Sequence, residues 1–448
     1  MLSRKRVLLI SYHFPPSNTA GSHRWDLLVQ EGVARGWSFH VLHAQIGDHP
    51  AVETPEVVTH PIKGRPHVLE TLRGRILQMV RPRRSTVVRK PGNGRSERPV
   101  VPTEEITHDY SIAGLRRTAN AFFYYLPHWE WVKEAVRQGV ALARSRQFDL
   151  IVCSSPPHLT ALAAARIAKV TTLPLVLDFR DPWAAMDVVQ AEYASPLFIK
   201  ITKFLEKRAL ADASLVVLNT EEARREMNKR NSGVPLVVVR NGSEGSIARH
   251  QADTVGRFEM LFAGAIYLDR DPRPLLEAVK VFISSERPST EEFHLTFVGE
   301  VSHFAGIDLR LYVQELGIDA YVSIHAAVPR AELSKLMSQA TLLVNLPQSA
   351  RLCIPSKLYE YFAYPAWVLA LEQPGSATAN LLAQTDAIVC EPSDRTAIAD
   401  AIARLFVRFK NGEWPVPIAR TSDMSIGTQA DTLYAELTRV VQTDGRAL

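Results

Sequence analysis

Short, almost wholly apolar runs alternate with helix-spaced stretches along the chain, and they fall into two series. The first comprises residues 6–11, 38–44, 149–154, 173–177, 214–218 and 234–239; the second comprises 258–262, 294–298, 322–324, 340–346, 366–371 and 387–389. Runs that stay apolar rather than alternating read as strands covered on both faces, as in a parallel sheet. Helices are expected between them from about 25 to 35 and over 129–146, where Trp129, Val132, Val136, Val140 and Ala143 fall on one face. Others are expected over 159–169, 198–211, 220–228, 377–384 and 393–409, and 428–441 is amphipathic. Strands alternating with crossover helices make an α/β protein of two Rossmann-like, doubly wound parallel-sheet domains. The Asn241-Gly242 turn and the polar stretch to Gly256 separate them. The expected domains are 1–245 and 256–412, with a helical segment over 413–448; residues from about 50 to 127 lack periodicity and read as an insertion on the first.

A length of 448 residues accommodates two cores, and 46% hydrophobic with 22% charged residues is ordinary globular composition. Cys153, Cys353 and Cys390 are too far apart for a disulfide framework or a metal site, so reduced thiols and no metal are expected. The start, MLSRKRVLLI, has basic residues before apolar ones, but the apolar run is too short for a signal peptide and HFPP follows it. No stretch is apolar enough to span a bilayer, since 160–177 is broken by Arg166 and Lys169. A cytoplasmic location is expected, with attachment to the inner membrane face as a further option. That option rests on residues 73–98, where basic residues crowd with almost no acids inside a net charge of +5. A solvated loop, an anionic membrane surface and nucleic acid are the three readings of such a tract. No nucleic-acid motif accompanies it, and the first strand lacks the Gly-x-Gly-x-x-Gly fingerprint of a nicotinamide enzyme.

Candidate chemistry concentrates in residues 350–371, ARLCIPSKLYEYFAYPAWVLAL. A buried strand leads through a polar loop to Pro355-Ser356-Lys357, which opens a short helix that Pro365 closes. A helix start carries unpaired N–H groups and the positive end of the dipole, which suits phosphate. Lys357 adds a point charge, and Glu360, three residues on, shares its face. A carboxylate beside a phosphate site can accept hydrogen bonds from a ribose diol. The alternatives are a surface ion pair or helix capping, although Tyr359 occupies the place a capping box gives to an acid. Two further candidates follow strands. Gly21 precedes the first helix and would let backbone approach a diphosphate or an acceptor. Asp178, Arg180 and Asp181, in DFRDPW, lie where parallel sheets bind ligands, or else form a turn stapled by an Arg–Asp pair.

PSKLYEYFAYPAWVLAL resembles the signature helix of the retaining family 4 glycosyltransferases, which have the GT-B fold of two Rossmann-like domains facing a cleft. HFPPSNTAGSHR, SSPPH with DFRDPW, and LFAGAIY are similar to the corresponding stretches of that family. The resemblance implies that Glu360 holds the ribose of a nucleotide sugar and that Ser356 and Lys357 face its diphosphate. It makes Ser22 and Arg24 candidates beside Gly21, and Asp178 or Asp181 candidates for orienting the acceptor hydroxyl or the donor sugar. It places Gly264 at the second domain's phosphate loop and the backbone of Val328 near the nucleobase. The family's first signature Glu falls at Leu352, and the Arg that follows its second-domain glycine falls at Ala265, leaving Arg270 or Arg273 as the nearest cation. The terminal helix is expected to cross back onto the first domain.

Transfer of a sugar from a UDP-, GDP- or TDP-sugar to a hydroxyl acceptor follows, with retention and without metal or other cofactor, in polysaccharide or glycoconjugate biosynthesis. The acceptor would be a sugar, a lipid-linked group or a small molecule. Stabilising charge on the leaving diphosphate is the main chemical task. A non-catalytic GT-B partner protein and a GT-B sugar-nucleotide epimerase are the competing readings.

Overall fold

The computed structural model describes residues 4–17, 19–45, 51–63, 110–184, 196–230, 233–243, 256–266, 270–346, 351–418 and 424–444. Two parallel sheets organise them. The first contains β1 (Lys5–Ser11), β2 (Trp37–Ala44), β3 (Val57–Ile62), β4 (Leu150–Ser155), β5 (Leu175–Phe179), β6 (Leu215–Leu218) and β7 (Leu236–Val238), in the order β3-β2-β1-β4-β5-β6-β7. Strand order reverses between β1 and β4, which opens a crevice at the carboxyl ends of those strands. β1 shows why the sheet is buried on both faces. Leu8 and Ile10 enter one core cluster with Ile151, Leu177 and the helix Leu159–Thr171, while Val7 and Leu9 enter the opposite one with the helix Ala20–Ala34.

The second sheet contains β8 (Phe258–Ala265) and β9 (Phe293–Glu300), then, after a small hairpin of β10 (His303–Phe304) and β11 (Ile307–Asp308), β12 (Val322–His325), β13 (Leu342–Asn345), β14 (Trp367–Leu371) and β15 (Ile388–Cys390). Its order is β12-β9-β8-β13-β14-β15, reversing between β8 and β13. Helices Arg273–Glu286 and Arg395–Lys410 supply its core on one face. Leu358, Tyr361 and Phe362, from the helix Ser356–Tyr361 and its end, pack on the other.

The last helix, Ile426–Asp444, returns to the first lobe. Ile426, Ala430, Leu433, Leu437 and Val440, spaced three and four apart, form one buried stripe against Trp25, Leu28 and Phe39. Tyr434 donates from its hydroxyl to the carbonyl of Leu28. A β-carbon at Gly32 would collide with that hydroxyl, so the close helix–helix approach requires glycine there. Chain crossing between lobes is tied by Ser243, whose N–H and hydroxyl both donate to the carbonyl of Met424, at 2.7 and 2.9 Å.

The stretch from 50 to 127 is not wholly an insertion. Residues 57–62 form the edge strand β3, in parallel register with β2 from Phe39↔Val57 to Ala44↔Ile62. VVTHPI hides this role, because an edge strand needs only partial burial and tolerates Pro61. The helix expected at 129–146 runs Tyr110–Ser145, and the first helix starts at Ala20, five residues before its expected start. Thr19 caps that start by accepting the N–H of Ser22 at 3.3 Å. The basic tract at 73–98 lies outside the described residues. Among the described residues no helix is long and apolar enough to cross a membrane. Leu437→Ala should lower stability by about 2–5 kcal/mol, because the side chain is fully buried between the terminal helix and the first lobe. Urea denaturation followed by circular dichroism checks it; a change near zero would mean that the helix is not docked.

Candidate active site

At the carboxyl end of the first sheet, Arg24 joins three segments. Its Nε donates to Asp178 Oδ2 and its Nη2 to Asp178 Oδ1, both at 3.1 Å. Nη2 also donates to the carbonyl of Val239 at 2.9 Å, and Nη1 to the carbonyl of Arg240 and to Asn241 Oδ1, both at 3.0 Å. All five guanidinium N–H groups are thereby engaged. Trp25 Nε1 adds a bond to Asp178 Oδ2 at 2.7 Å. Both charged side chains are only 1% exposed. Two expectations are corrected by this geometry. Asp178, sealed inside the lobe, cannot touch a substrate hydroxyl, and Arg24 borders the cleft with no N–H left for a ligand.

Gly21 also serves packing. The space a β-carbon would take is filled by the guanidinium of Arg180. Ser22 is fully buried. Its Oγ, Arg180 Nε, His13 Nδ1 and His128 Nδ1 are all buried without a hydrogen-bond partner. Tyr12 holds the two histidines together, its ring edge-on to His13 at 5.0 Å and to His128 at 4.9 Å. Burial, then the charges of Arg180 and His128, lower His13 to about 4. Burial lowers His128 as well, and it lowers Arg180 against the pull of Asp181 and Asp178. Arg180 and two histidines kept neutral by burial thus meet beside the first helix start, each with one buried polar atom left without a partner. Sequence reasoning missed two of them. A His directly after a buried strand in the switch-point loop was the available signal for His13; His128, in the middle of a helix, gave none.

Asp181 faces the second lobe. Its Oδ1 accepts from the Cys353 thiol at 3.3 Å, and its carbonyl lies 2.9 Å from His158 Nε2. Burial and the neighbouring carboxylate push the thiol well above its ordinary value, so it is a protonated donor. Beside it, Leu352 is buried in the first lobe's core cluster, and its carbonyl accepts from Thr220 Oγ1 at 2.6 Å. Asn380 Nδ2 bonds Glu222 Oε1 at 2.8 Å at a second contact between lobes.

In the second lobe, Lys357 Nζ donates to Glu360 Oε2 at 2.6 Å, with the two side chains 31% and 28% exposed. No side chain caps this helix, which removes the capping alternative. Ser356 and Glu360 line a cleft whose opposite wall is His23, Arg24 and Asn241 of the first lobe. The structure therefore brings Ser356, Glu360 and Arg24 to one space, with Lys357 attached through its ion pair. Gly264, next to last in β8, is in register with Gly299, whose φ is +132°. A β-carbon at Gly299 would strike the Gly264 carbonyl, so the tight approach makes its demand on Gly299. Arg270 Nη1 reaches the carbonyl of Ala265 at 3.3 Å. Arg273 is held instead by Asp271 at 2.7 Å and stands 5.4 Å from the Phe304 ring centre. Val328 packs half-buried beside the cluster containing Leu358 and Phe362. Gly264, Arg270, Arg273 and Val328 do not belong to the cleft wall shared by Glu360 and Arg24.

Residues 19–242 match the family described as "Glycosyl transferase 4-like domain", and residues 257–407 match "Glycosyl transferases group 1". Solved structures match over nearly the whole chain. Sucrose-phosphate synthase from Thermosynechococcus elongatus is 14% identical, covering 97% of this chain and 100% of that one, with a TM-score of 0.64. An α,α-trehalose-phosphate synthase (UDP-forming) from Burkholderia vietnamiensis is 12% identical, covering 97% of each chain, with a TM-score of 0.63. Anabaena HepE in complex with UDP-glucose is 12% identical, covering 99% of this chain and 98% of that one, with a TM-score of 0.54. At such identities these likenesses establish the fold, which is GT-B. No curated protein matches the chain in sequence.

Arg24→Ala should destabilise the protein by about 3–5 kcal/mol, because it leaves a buried carboxylate unpaired. The double variant Arg24→Met, Asp178→Leu should recover part of that loss, and chemical denaturation of the three proteins checks it. His13 predicts an acid effect. Its folded value of about 4 lies below the ordinary 6.5, so between the two the unfolded chain binds more protons. Its contribution is present above pH 6.5 and is lost as pH falls toward 4. His13→Asn should flatten that part of the urea-midpoint profile, while His40, also lowered to about 4 by burial, keeps some slope.

Proposed function

This chain belongs to the glycosyltransferase 4-like family, and from that premise we propose that it moves a sugar from a nucleotide-diphosphate sugar to a hydroxyl acceptor, with retention and without a metal. The observation that carries the reading is the cleft in which Glu360 and Ser356 of one lobe face Arg24 and Asn241 of the other. Lys357 has two further N–H groups beyond its bond to Glu360, and the Glu360 carboxylate has lone pairs to spare. One residue pair can therefore take a diphosphate oxygen and a ribose diol together. The neighbour whose structure holds UDP-glucose favours a nucleotide sugar of that kind.

As the anomeric carbon–oxygen bond to the diphosphate breaks, negative charge grows on the leaving group. Lys357 and backbone N–H groups would stabilise it. The acceptor oxygen bonds to the anomeric carbon, and its proton passes to the departing phosphate oxygen. In the first lobe, the half-buried Arg180 would be the cation that meets an acceptor carrying an anionic group. Such acceptors suit polysaccharide or glycoconjugate assembly at the inner membrane face.

Glu360→Ala should weaken UDP-sugar binding by more than about 1 kcal/mol, the loss expected for a hydrogen bond to a charged group. Titration calorimetry with UDP-, GDP- and TDP-sugars tests it, and no binding to any of them would favour a non-catalytic partner protein. Product anomeric configuration, read by NMR, separates retention from inversion. Arg180→Ala should raise KM for an anionic acceptor at least about tenfold while leaving donor affinity within about twofold. Equal effects on donor and acceptor would overturn the acceptor assignment.

A further inference from the structure

The helix Pro196–Leu210 of the first lobe carries two contrasting faces. Inward, Phe198, Thr202, Ala209 and Leu210 are buried. Its only acid, Glu206, is buried with them and fully employed: Oε2 accepts the N–H of Ala184 at 2.9 Å and Oε1 accepts from Arg230 Nε at 2.8 Å. Those bonds fix the roll of the helix. Outward, Leu197, Ile201 and Phe204, at spacings of four and three, form a single apolar ridge that is 52%, 41% and 64% exposed. Phe204 is the most exposed large apolar side chain among the described residues. Lys200, Lys203 and Lys207 run along one flank of the ridge and Arg208 continues its far end, all exposed.

This arrangement is unlike the rest of the described surface. Isolated exposed apolar residues are ordinary, but three in register on one helix, bordered by four cations and by no exposed acid of the same helix, are not. Water gains nothing from such a ridge, and a protein partner of mixed charge would leave the four cations unmatched. A bilayer surface containing anionic lipid satisfies both parts. The apolar ridge enters the boundary between headgroups and acyl chains, the lysines reach up to phosphate along their apolar stems, and the helix lies in the membrane plane.

We propose that the outward face of Pro196–Leu210 docks the first lobe on an anionic lipid surface, with Leu197, Ile201 and Phe204 inserted and Lys200, Lys203, Lys207 and Arg208 on headgroup phosphates. This docking site is distinct from the basic tract at 73–98 and stands independently of the transfer reaction.

The test is flotation of the full chain with vesicles of phosphatidylcholine alone and of phosphatidylcholine mixed with phosphatidylglycerol. The expected result is binding to the mixed vesicles at least about tenfold stronger than to the neutral ones, weakening as salt rises. Phe204→Ser, Ile201→Ser and, separately, Lys203→Glu, Lys207→Glu should each lower that binding at least about tenfold. These positions are exposed, so thermal unfolding should be unchanged and shows that the variants remain folded. Three results would overturn the proposal. One is failure to bind either vesicle. Another is binding that survives both double variants but disappears when 73–98 is deleted. The third is a self-association, seen by analytical ultracentrifugation, that the serine variant abolishes while vesicle binding stays intact, which would assign the ridge to a second copy of the chain.

Discussion

The paired charges of Arg24 and Asp178 fix the floor of the cleft. Two ions that are each 1% exposed have lost their hydration, a cost of several kcal/mol apiece that attraction alone does not offset. The complete hydrogen-bond set is what makes the burial tolerable: a bidentate fork to the carboxylate, two backbone carbonyls, the Asn241 side chain, and the indole of Trp25. Each bond reaches a different part of the fold. The first helix, the end of β5 and the chain at 239–241 on its way to the second lobe are locked at one atom cluster. Everything proposed to bind in the cleft therefore meets a wall whose position is set by geometry rather than by loop conformation.

Gly21 and Arg180 extend the same logic outward. With Asp178 hydrogen-bonded to Arg24 and Trp25, the neighbouring Arg180 feels that carboxylate and Asp181 only through space, donates to the Pro156 carbonyl at 2.8 Å, and lays its guanidinium against the bare Cα of Gly21. One carboxylate thus serves one arginine and leaves the next partly unspent beside two histidines. Burial keeps the two histidines neutral, so the charge of the cluster is that of Arg180, which the Asp181 and Asp178 carboxylates offset in part.

Much of the fold was legible because buried parallel strands have to be apolar nearly throughout, and the terminal helix advertises its stripe through Leu433, Leu437 and Val440. The Lys357–Glu360 meeting was equally legible, since helical geometry alone sets neighbours three residues apart on one face. What stayed hidden depended on distance along the chain. Arg24 and Asp178 are separated by 154 positions, and nothing local in AGSHRW or VLDFRD distinguishes a sealed ion pair from a solvent-facing one. Edge strand β3 escaped because partial exposure and Pro61 erase the apolar run on which strand recognition relies.

Leu352 shows how a departure from a family pattern acquires a physical meaning. Where the resemblance calls for a carboxylate to handle a donor hydroxyl, this chain places an apolar side chain that is 9% exposed within the first lobe's core cluster. Its burial is worth about 1.5–3 kcal/mol, and the bonds Thr220–Leu352, Cys353–Asp181 and Asn380–Glu222 add roughly 1 kcal/mol each. These contacts join the two lobes directly beside the cleft. A carboxylate at 352 could not serve in that way, because its charge would have to be stripped of water to enter the same apolar site. At 352 this chain therefore supplies packing between the lobes where the resembled pattern has a carboxylate.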